Sequence, residues 1–149
     1  MHARSPTPAT LPCDNPPGIS ALELHEILLR SHAALNTIQK RFIDALRALY
    51  DSELYLQLGF PNISAYAEAT FRYGHSRTQE FIQVSRALLG LPGITAAFES
   101  GAISFNLAAR MSQVATAETE EEWLALLQGR RIGAVHLELK QAKKTKRDR

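Results

Sequence analysis

The chain of 149 residues is 45% hydrophobic, 21% charged and 7% aromatic, the composition of one soluble globular domain and not of a disordered or fibrous chain. No uncharged apolar run approaches the roughly 18 residues of a membrane span, and the first residues lack a charged segment followed by an apolar one. Its single cysteine, Cys13, can close no internal disulfide, so neither membrane insertion nor secretion is expected and the cytoplasm is the expected compartment.

The formal charge of +2 is unevenly spread: residues 1–18 sum to zero, 19–139 to −3 and 140–149 to +5. The pI near 8.9 therefore reports a basic tail, Lys140 to Arg149, suited to touching nucleic acid. At the other end, five of the seven prolines fall in the first 17 residues, and residues 1–18 are expected to be a disordered, Pro-rich arm.

The pattern turns helical at Ile19. Ser20 and Glu23 have the spacing of a capping box. Leu24, Leu28, Leu35, Ile38, Phe42, Ala45 and Leu49 then recur at three- and four-residue steps, broken only at Ser31. One long amphipathic helix over about 20–50 is predicted, roughly 45 Å long at about 1.5 Å per residue, longer than a compact domain of this size is wide. The seam Leu28, Leu35, Ile38, Phe42 and Leu49 is expected to pair with a second copy as a homodimer; its alternative is cover from helices 63–72, 104–114 and 132–146 within one chain.

A turn of helix at 52–58 should stop at Gly59 and Pro61. A helix at about 63–72 follows, capped by Asn62 or Ser64, and then one from Ser76 to about Leu89, with Ser76 and Gln79 as a second capping-box pair. Further helices fit 92–99, 104–114, 119–128 and 132–146, with glycines near their junctions. No segment alternates with period two long enough to argue a strand, so the fold class is all-α.

Helices 63–72 and 76–89, joined by Arg72-Tyr73-Gly74-His75, have the spacing of a helix-turn-helix, with the second as recognition helix. One side of that helix gathers Phe81, Ile82, Val84, Leu88 and Leu89; the other gathers Gln79, Glu80, Gln83 and Arg86. Gln79 and Gln83 suit adenine edges and Arg86 guanine, while Arg77 and Thr78 stand where a helix start reaches phosphate. Arg72 adds charge in the turn, and Lys140, Lys143 and Lys144 of the tail add phosphate attraction without sequence reading. Glu80 opposes these, since a carboxylate is repelled by phosphate.

No constellation for catalysis emerges. Gly-x-Ser-x-Gly, phosphate-loop and dinucleotide patterns are missing, and His25 and His32, seven apart on one helix, lack a third ligand nearby. The acidic run Glu118 to Glu122 reads as a helix start complementing the macrodipole. No catalytic residue, metal or cofactor is expected.

The residues Leu91-Pro92, Ala97-Phe98, Gly101-Ala102-Ile103-Ser104 and Val114-Ala115-Thr116-Ala117-Glu118-Thr119-Glu120 to Trp123-Leu124 resemble the helical domain that precedes the nuclease in a group of bacterial HNH endonuclease-like proteins. The likeness covers roughly 59–139. More loosely, Ser76-Arg77, the following Leu-Pro, and Gly-x-Ile-Ser with Ala108 resemble the helix-turn-helix region of the plasmid-partition ParB family. These resemblances imply an all-helical DNA-recognition module touching Ser76, Arg77, Arg86 and the 101–124 motif. They imply no nuclease activity here, because the chain lacks the His-Asn-His cluster that would hold a metal and activate water.

The reading is therefore a non-enzymatic helix-turn-helix protein that binds double-stranded DNA, as a regulator or as the recognition part of a nuclease-like protein whose nuclease half is lost or separate. Its alternative is a helical protein-interaction module without nucleic-acid binding.

Overall fold

The computed structural model describes residues 18–129 and 132–149, and among these every regular element is helical. The expected arm lies almost wholly outside the described residues, as does Cys13. The elements are α1 (Ala21–Asp51), a single 3₁₀ turn (Leu54–Leu56), α2 (Ile63–Phe71), α3 (His75–Leu88), α4 (Pro92–Glu99), α5 (Phe105–Val114), α6 (Glu120–Gly129) and α7 (Ile132–Arg147).

α1 is 31 residues long and starts with the expected capping box: the Ser20 hydroxyl accepts from the Glu23 N–H, and the Glu23 carboxylate accepts from the Ser20 N–H. Two backbone amides at a helix start would otherwise lack partners. Pro92 opens α4 as its first residue, where a missing N–H costs nothing. Asn62 caps α2 by accepting from the Ala65 N–H.

The lower half of α1 is the spine of the domain, with α3 and α4 laid against it. Ile43, Ile82, Ile94, Phe98 and Met111 are fully enclosed. Phe42 meets Phe71, Tyr73 and Phe81 edge to face at centroid distances of 5.1, 5.9 and 5.8 Å, the arrangement that aromatic quadrupoles favour.

Polar groups lock α1 to its neighbours. The buried Asn36 amide donates to the carbonyls of Phe98 at 2.9 Å and Ile103 at 3.0 Å, and the Thr37 hydroxyl donates at 3.1 Å to Glu99. Asn36 thereby satisfies two buried carbonyls around the end of α4, and Thr37 ties the exposed end of the same helix to α1. Gly101 follows with φ +84°, and a Cβ there would stand 3.1 Å from the His32 ring and 3.3 Å from the Ala33 Cα. Both the backbone conformation and the close approach require glycine. Further down, the Ser85 hydroxyl donates to Asp44 and accepts from Arg47 Nε, while Lys40 pairs with Asp44.

The sequence-based reading is corrected in two places, the turn after α1 and the start of α3. The turn after α1 is 3₁₀, following Glu53 in the left-handed region. α2 ends where expected, with Arg72 as its C-cap at a φ of 63°. α3 starts one residue early with Gly74 as its cap, and Ser76 makes no capping bond; the His75 ring instead meets the Ser64 hydroxyl at 2.7 Å. Lys140 to Arg147, most of the expected basic tail, form the last turns of α7, in line with the helix expected over 132–146.

Candidate nucleic-acid interface

α2 and α3 meet through Arg72, Tyr73 and Gly74, and α3 turns Thr78, Phe81, Ile82, Val84, Ser85 and Leu88 into the domain. Its outer side carries Ser76, Gln83 and Arg86 exposed and Gln79 and Glu80 half-buried. Thr78 does not belong to this surface. It is fully buried, its hydroxyl donating at 2.9 Å to the Gly74 carbonyl, so the expected phosphate contact from its side chain is corrected to an internal bond at the helix start.

Arg86 is also placed differently from expectation. Its guanidinium pairs with Asp51 at the end of α1 and lies over the Tyr50 ring, so part of its charge and one arm of its fork are already engaged. Leu89, expected inside, is 65% exposed at the end of α3.

Arg77 is held at the opposite edge. Its guanidinium stacks on Phe81 and Phe105, 4.5 and 5.1 Å from the ring centroids, and donates to Glu80 at 2.8 Å. The two aromatic faces fix the plane of the fork, and the pairing offsets the Glu80 charge that would otherwise repel an anion. Arg72 is exposed in the turn.

α5 and α7 extend the polar surface beyond α3. Asn106, Arg110 and Gln113 on α5, and His136, Lys140 and Lys143 on α7, follow the same four- and three-residue steps and line one open groove together with Glu80. Arg110 contributes a guanidinium N–H that lies 2.9 Å from His136 Nδ1. Beyond it, Lys140, Lys143, Lys144, Lys146 and Arg147 surround a second open groove of about 710 Å³ whose floor includes Leu137. Gln113 lines this groove, the previous one and the shallow trough along His75, Ser76, Arg77, Gln79, Glu80 and Gln83. It thus borders all three concavities. The Lys146 ammonium donates at 3.0 Å to the Gln113 carbonyl, which tethers the end of α7 to the end of α5.

Sequence reasoning counted Arg110 among the basic residues near the recognition helix but missed Asn106, Gln113 and His136 beside it. They come from two helices separated in the chain by α6, and only the three-four spacing on each of α5 and α7 hinted at a shared face.

The acidic run serves the fold. Glu120 reaches back from α6 and accepts from the Ile94 N–H at 2.6 Å, supplying the cap that Leu91 cannot. A backbone N–H and the Thr116 hydroxyl hold the exposed Glu118 carboxyl below its ordinary value. Among the described residues no group of three His, Cys, Asp or Glu side chains converges as a metal site would require, and no helix is long and apolar enough to cross a membrane.

Compared with family models, with curated proteins and with solved structures, the chain matches none.

Proposed function

We propose that the chain is a non-enzymatic, helix-turn-helix DNA-binding protein that lays α3 against a duplex and holds the flanking phosphates with α5 and α7. The observation that carries this reading is Gln113, which lines the amide-bearing trough of α3, the groove between α5 and α7 and the lysine-bordered groove of α7 alike. Base-edge reading needs amides or guanidinium groups on an accessible helix face; affinity needs cations beside it. Gln79 and Gln83 supply the first, and Arg110, Lys140, Lys143 and Lys144 the second. Arg77, fixed on its aromatic platform, stands between them. The helical domain of the HNH endonuclease-like proteins, which the 91–124 motif resembles, fits the same role.

Titration of labelled duplex by fluorescence anisotropy at two salt concentrations tests the reading. Binding should weaken steeply with salt, with a slope of log affinity against log salt of about −0.9 per phosphate engaged. Replacing Lys140, Lys143 and Lys144 by Ala should flatten that slope, whereas Gln83→Ala should leave it unchanged and lower discrimination between sequences by about 1–3 kcal/mol. No binding at low salt, or a slope indifferent to the three lysines, overturns the proposal.

A further inference from the structure

Residues 21–32 of α1 are all exposed, so among the described residues no other helix covers this end of α1. Its surface is not that of a solvated helix. Leu24, Ile27, Leu28, Leu35 and Ile38 lie along one face and are 37%, 50%, 67%, 64% and 61% exposed. Apolar side chains in such number along an uncovered helix end mark an interaction surface.

The pattern of that face identifies what it fits. Counting from Ser31, the positions three, four and seven residues away are apolar in both directions: Leu28, Ile27 and Leu24 toward the N-terminus, Ala34, Leu35 and Ile38 toward the C-terminus. A face that reads the same both ways is complementary to itself about a two-fold axis through its centre. We propose that the chain forms an antiparallel dimer through α1, crossing at Ser31, with Leu24 of each copy against Ile38 of the other, Ile27 against Leu35 and Leu28 against Ala34. The small serine at the crossing lets the two backbones approach.

The position of the domain selects antiparallel over parallel pairing. The next apolar position on the face, Phe42, is covered by Phe71, Tyr73 and Phe81 of its own chain. A parallel partner following the seven-residue repeat would drive its own α2 and α3 into that cluster. An antiparallel partner ends there instead, its Ala21 arriving beside Phe42 and the 40% exposed Phe71, and the two domains sit at opposite ends of the paired helices. Leu22 and Leu29 lie off the face and take no part.

Light scattering of the full chain across the micromolar range, without nucleic acid, tests the pairing independently of DNA binding. The expected mass is that of two chains, falling to one chain when Leu28 and Leu35 are both replaced by Glu, with helical content unchanged because both side chains are exposed. Orientation follows from disulfide trapping in a Cys13→Ser background. Leu24→Cys chains mixed with Ile38→Cys chains should yield a covalent heterodimer, and neither variant alone a covalent homodimer. A single-chain mass for the unaltered protein, a two-chain mass that survives both glutamates, or homodimers in place of the heterodimer would each overturn the proposal.

Discussion

The two halves of α1 share one helix and one apolar repeat, yet they have opposite surroundings. Below His32 the helix turns Ile43 and Leu46 into the core and, beside them, the buried Asn36 and Lys40. Above it, every residue from Ala21 to His32 is exposed, leucines included. Periodicity alone does not decide burial; the neighbours do. Where α3 and α4 reach α1, even an amide and an ammonium are enclosed, because each finds partners there. Where no helix reaches, Leu28 stays in water.

The largest expected break in this contrast is in the enclosed half. Phe98 is wholly buried under α1 and α5, and Phe98→Ala should cost about 3–5 kcal/mol through lost transfer energy and the cavity left behind. Urea unfolding followed by circular dichroism measures it. A loss below 1 kcal/mol would mean that the α1–α4 junction collapses around the void and is not a rigid contact.

Asn36→Ala is next. It leaves the carbonyls of Phe98 and Ile103 without the donor that now serves both, and each buried unsatisfied group costs about 1–3 kcal/mol. Asn36→Asp should be at least as damaging, because a carboxylate would face two carbonyl oxygens. If Asn36→Asp were tolerated near neutral pH, the site would have to be open to water. Gly101→Ala, which meets both a positive φ and the Ala33 backbone, should cost more than the roughly 1 kcal/mol of left-handed strain alone, read from the same unfolding curves.

Much of this architecture was legible because it is local. The Ser20–Glu23 box, the Asn62 cap, Pro92 at a helix start and the periodic runs each act within a few residues, so their consequences could be written down before any fold was known. Failures came where a distant side chain intervened. Ser76 and Gln79 have capping-box spacing, but the Ser64–His75 contact starts α3 a residue sooner. Arg86 sits on the outer side of α3 as a wheel requires, yet Asp51, 35 residues away, takes its guanidinium. The seam over 28–49 was read as one surface; the structure divides it, with Phe42 and Leu49 packed against the chain's own core and Leu28, Leu35 and Ile38 uncovered. The expected dimerisation set is corrected accordingly: Phe42 and Leu49 leave it. The groove between α5 and α7 left only a three-four spacing within each helix as its sign, since Arg110 and His136 become neighbours only when the two pack.

The smallest effect sharpens the comparison most, and it depends on concentration. In a dilute sample, Leu28→Ala should change stability by no more than about 0.5 kcal/mol, since the side chain is 67% exposed. The same truncation at Ile43, fully enclosed on the same helix, should cost about 2–5 kcal/mol at any concentration. If the upper half of α1 pairs with a second copy, the native protein gains stability by mass action, and its thermal midpoint rises with protein concentration. Leu28→Ala should then reduce that rise while leaving the dilute midpoint untouched. Ile43→Ala should do the reverse, lowering the midpoint everywhere while keeping its dependence on concentration. Thermal melts of the three proteins over a hundredfold dilution separate the two halves by this criterion. A midpoint independent of concentration in the unaltered chain would leave the exposed leucines without a partner of their own kind.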